Sequence, residues 1–113
     1  MIYTVSILSE AEADIDNAFI WYEIAQMGLG KDFFATVNKS VHSISNNPYS
    51  CSEIYKGIRR FVIKKFPYGI YYKVNFVEKE IQIIGIIHFK RSMRILKPGS
   101  KSLRPLRIVI VSD

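Results

Sequence analysis

Residues 58–89 read IRRFVIKKFPYGIYYKVNFVEKEIQIIGIIHF, and the fold follows from how this stretch divides. Ile58–Phe66, Gly69–Phe76 and Glu80–Phe89 are each rich in Ile, Val, Tyr and Phe, the residues that suit a pleated surface. Pro67-Tyr68 and Val77-Glu78-Lys79 separate them and read as hairpin turns, so the stretch predicts three antiparallel strands. Strict alternation puts Ile70, Tyr72, Val74 and Phe76 on one face of the middle strand, with Tyr71, Lys73 and Asn75 on the other. In the third strand it puts Ile81, Ile83 and Ile87 on one face and Gln82, Ile84, Ile86 and His88 on the reverse. Both faces of that strand are largely apolar, which predicts a central strand covered on both sides.

On the N-terminal side, Tyr3–Ile7 is a short β-branched run and predicts a first strand. Ser9-Glu10-Ala11-Glu12 has the spacing of a capping box, and the 3.6-residue period of Ala11, Ile15, Ala18 or Phe19, Tyr22 and Ala25 predicts a helix over about 10–26. Gly28-Leu29-Gly30 breaks it. A second helix over about 31–45 carries Phe34, Val37, Val41 and Ile44 as its apolar stripe, with Phe33 flanking, and ends before Pro48. These two helices form a hairpin that supplies one cover for the sheet. The other cover is a partner chain or the chain's own tail. Beyond Met93 the pattern weakens, and Leu106–Val111 reads as a fourth antiparallel element or a tail that pairs with something else.

The chain has 113 residues, 49% of them apolar and 23% charged, the composition of one ordinary domain with room for a core of its own. The single Cys51 excludes a disulfide framework and suits a reducing compartment. No run reaches the roughly 18 apolar residues of a membrane helix, and the N-terminus lacks the basic start of a secretion signal. The net charge of +6 is unevenly spread. Residues 1–52 hold two lysines against six acidic side chains, whereas residues 53–113 hold fourteen basic side chains against four acidic ones. Such polarity predicts a cationic surface suited to nucleic acid or an acidic protein.

Standard catalytic signatures are missing. Gly28-Leu29-Gly30 lies between helices and lacks the third glycine of a phosphate loop, and His42, His88 and Cys51 are isolated from other metal ligands. The informative set is cationic: Lys56, Arg59, Arg60, Lys64 and Lys65, then Lys73, then His88, Lys90, Arg91 and Arg94. Clustered guanidinium and ammonium groups hold phosphates or dock an acidic peptide, and a histidine exchanges a proton near neutral pH.

Seven strings in order resemble the RelE/ParE superfamily of toxins from type II toxin–antitoxin pairs, the plasmid stabilisation proteins among them: Ser9-Glu10-Ala11-Glu12-Ala13-Asp14-Ile15, Trp21-Tyr22-Glu23, Gly28-Leu29-Gly30 with Phe33, Asn47-Pro48, Gly57-Ile58-Arg59-Arg60, Phe66-Pro67-Tyr68-Gly69-Ile70-Tyr71-Tyr72 and His88-Phe89-Lys90-Arg91. The resemblance covers residues 1–93 and leaves 94–113 as a C-terminal extension. It implies an α+β fold with an N-terminal strand and helical hairpin packed on a twisted antiparallel sheet, a cytoplasmic bacterial protein, no cofactor or metal, and an acidic antitoxin in a hetero-oligomer. It also implies one of two activities. ParE-like members bind DNA gyrase and arrest growth, and RelE-like members cut messenger RNA on the ribosome without a metal.

The Phe-Pro-Tyr turn and the His-x-x-Arg ending are similar to the ParE side, which is not enzymatic. RNA-cleaving relatives usually carry an arginine at the start of the middle strand, where this chain has Gly69, and a tyrosine near the C-terminus or just after the histidine, where it has Phe89. On the ParE-like reading, Arg59, Arg60, Lys65, Tyr71, Lys73, His88 and Arg91 bind target or antitoxin. On the ribonuclease reading, His88, Arg91, Arg59 and Lys64 share the phosphate and proton work. A third reading is an inactive remnant that only binds antitoxin.

Overall fold

The computed structural model describes residues 3–89 and 105–110. Strand β1 (Thr4–Leu8) leads into helix α1 (Ser9–Ala25) and helix α2 (Leu29–Asn46), followed by β2 (Glu53–Tyr55), β3 (Ile58–Val62), β4 (Tyr68–Asn75), β5 (Glu80–His88) and β6 (Pro105–Ile110). The strands form one sheet in the order β2-β3-β4-β5-β1-β6. The expected α+β architecture is present. The sheet is mixed, however, because β1 lies parallel to β5 with Val5 opposite Ile81 and Ile7 opposite Ile83. Chain direction requires this: β1 passes straight into the helical hairpin, and the chain returns to its flank only after three further strands.

The tail resolves in favour of a strand, since β6 runs antiparallel to β1 on its outer edge. β2, absent from the sequence expectation, is a three-residue strand on the opposite edge. Its alternation is too short to register as a period. None of the described helices is long and apolar enough to cross a membrane.

Between the helices and the sheet lies the main core, built on Val5, Phe33, Val37, Ile44, Ile70, Tyr72, Ile81, Ile83 and Ile86. Leu8, Ile58, Tyr71, Ile84 and Ile87 form a second cluster on the reverse face. This division departs from strict alternation, which placed Ile86 with Ile84 and Ile87 with Ile81. The cause is a bulge. Tyr71 pairs with Gly85 but Tyr72 pairs with Ile83, so Ile84 is an extra residue on β5 and every side chain after it changes face. His88 is moved with them and stands beside the Tyr68 ring of the main core.

The bulge also explains a long-range hydrogen bond. β1 pairs with β5 only as far as Ile83, so the amide of Ile86 would face an empty flank. It donates instead to the Asp14 carboxylate of α1, at 3.0 Å. Ser6, buried in β1, is satisfied in a similar way by donating its hydroxyl to Glu80 on β5.

The hairpin turn has its own logic. Gly28 takes φ +88°, a backbone that side chains resist, and Gly30 packs so close to α1 that a Cβ there would stand 2.6 Å from the Phe19 carbonyl oxygen. Glu23 uses that proximity: its carboxylate accepts the amides of Gly28 at 2.9 Å and Gly30 at 3.0 Å, filling free donors at the start of α2. The anticipated capping box is not the cap of α1. Leu8 occupies that position without a side-chain hydrogen bond, because β1 joins α1 with no residue between them. In α2 the roles of two phenylalanines are exchanged relative to the sequence reading, Phe33 being fully buried and Phe34 exposed.

The amide bonds to Glu23, that of Gly28 foremost, hold its carboxyl below the ordinary value of 4.5. A depressed folded value means that the contribution to stability is complete above 4.5 and fades as pH falls through the folded value. Glu23→Gln is therefore expected to lower the melting temperature at pH 7, with the gap from the parent closing in acid. A gap of constant size across the acid titration would show that the charge plays no part.

Candidate functional site

Strand alternation sends Arg59 and Arg60 to opposite sides of the sheet. Arg59 lies on the helix side, where its guanidinium donates to the Cys51 carbonyl at 2.6 Å and stacks 5.1 Å from the Tyr49 ring centre. Its neighbour in the register, Tyr72, donates its hydroxyl to the Pro48 carbonyl at 2.8 Å, and burial pushes that phenol well above its ordinary range. Arg59 thus locks the segment after α2 onto the sheet.

Arg60 lies on the reverse face. A Cβ on Gly69 would stand 3.1 Å from the Arg60 Cγ and Cδ and 3.2 Å from the Tyr71 ring, so the glycine leaves room for an arginine stem and a phenol to lie over the strand together. The guanidinium continues over Phe89, 5.9 Å from its ring centre. Tyr71 is fully buried, and its hydroxyl is the sole buried side-chain polar atom among the described residues without a hydrogen-bond partner. An unmade bond of that kind costs about 1–3 kcal/mol.

His88 is half-buried at the end of β5, its ring 5.3 Å from that of Tyr68 in an edge-on contact. Lys73 is exposed on β4, opposite Gln82. Arg91, with Lys90 and Arg94, lies outside the described residues. The structure therefore brings Arg60 and Tyr71 together. It places Arg59, Lys73 and His88 in separate surroundings.

Lys64 and Lys65 follow β3 and face α2. With Lys39, Asp32, Phe61 and Val62 they line a groove of about 550 Å³ between the helix and the edge of the sheet. The α2 residues Asp32, Thr36, Lys39 and Ser43 recur at helical spacing, which sets them along one side of this groove. Lys39 was not among the candidates read from the sequence, since it belongs to the acidic half and only the fold sets it beside Lys64. The sequence reading also left aside the outer side of α1, where Ile20, Trp21 and Ile24 are exposed. No three His, Cys, Asp or Glu side chains converge on a metal position among the described residues.

No family model matches the chain, and no curated protein matches it. Solved structures do. A chain of the chromosomal ParDE toxin–antitoxin system from P. aeruginosa superposes with a TM-score of 0.67 at 18% identity, covering 77% of this chain and 96% of that one. A chain of the RelBE2 toxin–antitoxin complex from Mycobacterium tuberculosis gives a TM-score of 0.57 at 15% identity, covering 78% of this chain and 99% of that one. Nearly the whole of each relative thus fits within about three quarters of this protein. The order of elements, the helical hairpin on a mixed sheet and these superpositions together show that the chain has the fold of the RelE/ParE toxins.

Proposed function

We propose that this protein is the toxin of a type II toxin–antitoxin pair, a ParE-like cytoplasmic growth inhibitor that acts by binding DNA gyrase and is neutralised by an acidic antitoxin. Both similar structures come from toxin–antitoxin systems, which supports the antitoxin partner. The observation that carries the ParE-like choice is the environment of Gly69. RNA-cleaving members of the resembling superfamily hold an arginine there, whereas here the stem of Arg60 fills the space above the glycine. Phe89 beneath the guanidinium has no phenol to move a proton. A sheet so arranged favours binding over phosphodiester cleavage. The C-terminal extension 94–113 belongs to this protein's own partner choice on this reading, with residues 1–93 as the toxin domain.

Purified protein added to a gyrase supercoiling assay is expected to inhibit it in proportion to dose. Absence of inhibition at excess protein overturns the gyrase reading. New cleavage ends in translated messages after induction, mapped by primer extension, would assign the endoribonuclease activity instead. Undisturbed growth on overexpression without antitoxin would leave the remnant that only binds antitoxin.

A further inference from the structure

Helix α1 is apolar on two sides. Ala11 and Ala18 are buried, and Ile15 and Tyr22 pack against the main core, which accounts for the inner side. On the outer side Ala13, Asn17, Ile20 and Ile24 succeed one another in steps of four, three and four residues, and Met27 continues the run by three in the turn that follows. All five are exposed, Ile20 to 55%, Ile24 to 81% and Met27 to 89%, and Trp21 stands beside them at 69%. Steps alternating between three and four residues make a seam for a second helix, with Asn17 as its one polar member. A surface helix ordinarily turns its charges outward. Here they avoid the outer side. The acidic residues of α1 are Glu10, Glu12, Asp14, Asp16 and Glu23, and it has no Lys or Arg. Asp14 is turned to the Ile86 amide and Glu23 to the amides of Gly28 and Gly30, while helical spacing sets Asp16 at the flank, just outside the seam.

We propose that the outer side of α1 is the contact between two copies of this chain, which pair the Ala13–Met27 seam with itself about a two-fold axis. Area and charge choose the occupant. Ile20, Trp21, Ile24 and Met27 leave roughly 600 Å² open on each copy, so two copies together hide more than the ~1,000 Å² that a specific interface needs. An acidic protein, a nucleic acid or an anionic lipid surface finds no cation on α1 to answer its charge and meets Asp16 at the border. A second copy brings an uncharged seam instead. Because that seam lies on the side of α1 away from the sheet, the basic sheets of the two molecules stay apart. The contact rests on packing and is independent of the toxin reading above.

Sedimentation equilibrium of the full chain alone, across micromolar concentrations, tests this. The parent is expected to be a dimer, and Ile24→Glu or Ile20→Glu to weaken the dimer roughly a hundredfold, since each places two desolvated carboxylates in the seam. Both side chains are exposed in the single molecule, so the circular dichroism spectrum is expected to stay that of the parent. Val77→Glu, at an 86% exposed apolar residue in the turn between β4 and β5, is expected to leave the dimer unchanged. The melting temperature of the parent should rise with protein concentration, and that of Ile24→Glu should not. A parent that is monomeric throughout, a dimer untouched by both seam variants, or one weakened equally by Val77→Glu overturns the proposal. A monomeric parent whose antitoxin binding or gyrase inhibition is lost in Ile24→Glu also overturns it, and gives the seam to that partner.

Discussion

Phe33→Ala is expected to remove about 3–5 kcal/mol of stability, seen as a fall in the urea midpoint with little change in slope. Phe33 is fully buried, and its ring centre lies 5.4 Å from Tyr22, 5.2 Å from Phe66 and 5.2 Å from Tyr68. This aromatic group ties both helices to the connection between β3 and β4, so truncation leaves a cavity at the junction of three elements. Small domains have only about 5–15 kcal/mol in total, and the variant therefore stands near the limit of folding. Phe34→Ala is the matched control, because that side chain is 52% exposed and its loss should cost at most about 0.5 kcal/mol. Equal effects from the two substitutions would contradict the packing described here.

Asp14→Ala is expected to cost about 1.5–3 kcal/mol, the range for a hydrogen bond to a charged acceptor when its donor is left unmet. The donor is the Ile86 amide, in a residue 1% exposed, on the flank of β5 that β1 no longer reaches. Hydrogen exchange gives the direct readout. The Ile86 amide should exchange faster in the variant by more than global destabilisation accounts for, and Asp14→Asn should restore part of the protection through its side-chain carbonyl. Equal acceleration at all core amides would mean that Asp14 acts elsewhere.

These two positions mark where the sequence was legible and where it was not. Periodicity found both helices, the middle strand and the last strand, because each carries its apolar residues at the spacing its geometry demands. It also found the run after Pro105. The exchange of Phe33 and Phe34 escaped it, since adjacent phenylalanines fit one helical stripe nearly equally and only the rings of Tyr22, Phe66 and Tyr68 choose between them. The bulge at Ile84 escaped it for a different reason. Alternation counts residues and assumes none is extra, and Gly85 was the sole local sign of a break. That miss moved Ile86, Ile87 and His88 to the wrong faces.

The candidate site was legible as chemistry more than as geometry. The charge split pointed to the second half of the chain, and Arg60, Lys65 and Tyr71 were named as candidates. Their neighbourhoods were not readable, because Arg59 and Arg60 differ by one residue and by a whole face of the sheet, and because Lys39 meets Lys64 only across the gap between α2 and β3.

The sheet order has a practical consequence for handling the protein. β6 closes the flank of β1 with Ile110 opposite Thr4, so the first and last strands of the described chain run side by side at one border, while β3 and its groove lie toward the other. An affinity handle or surface tether attached beside Thr4 therefore starts from that border. Immobilised on a sensor through such a tether, the molecule presents the β3 border to an incoming partner.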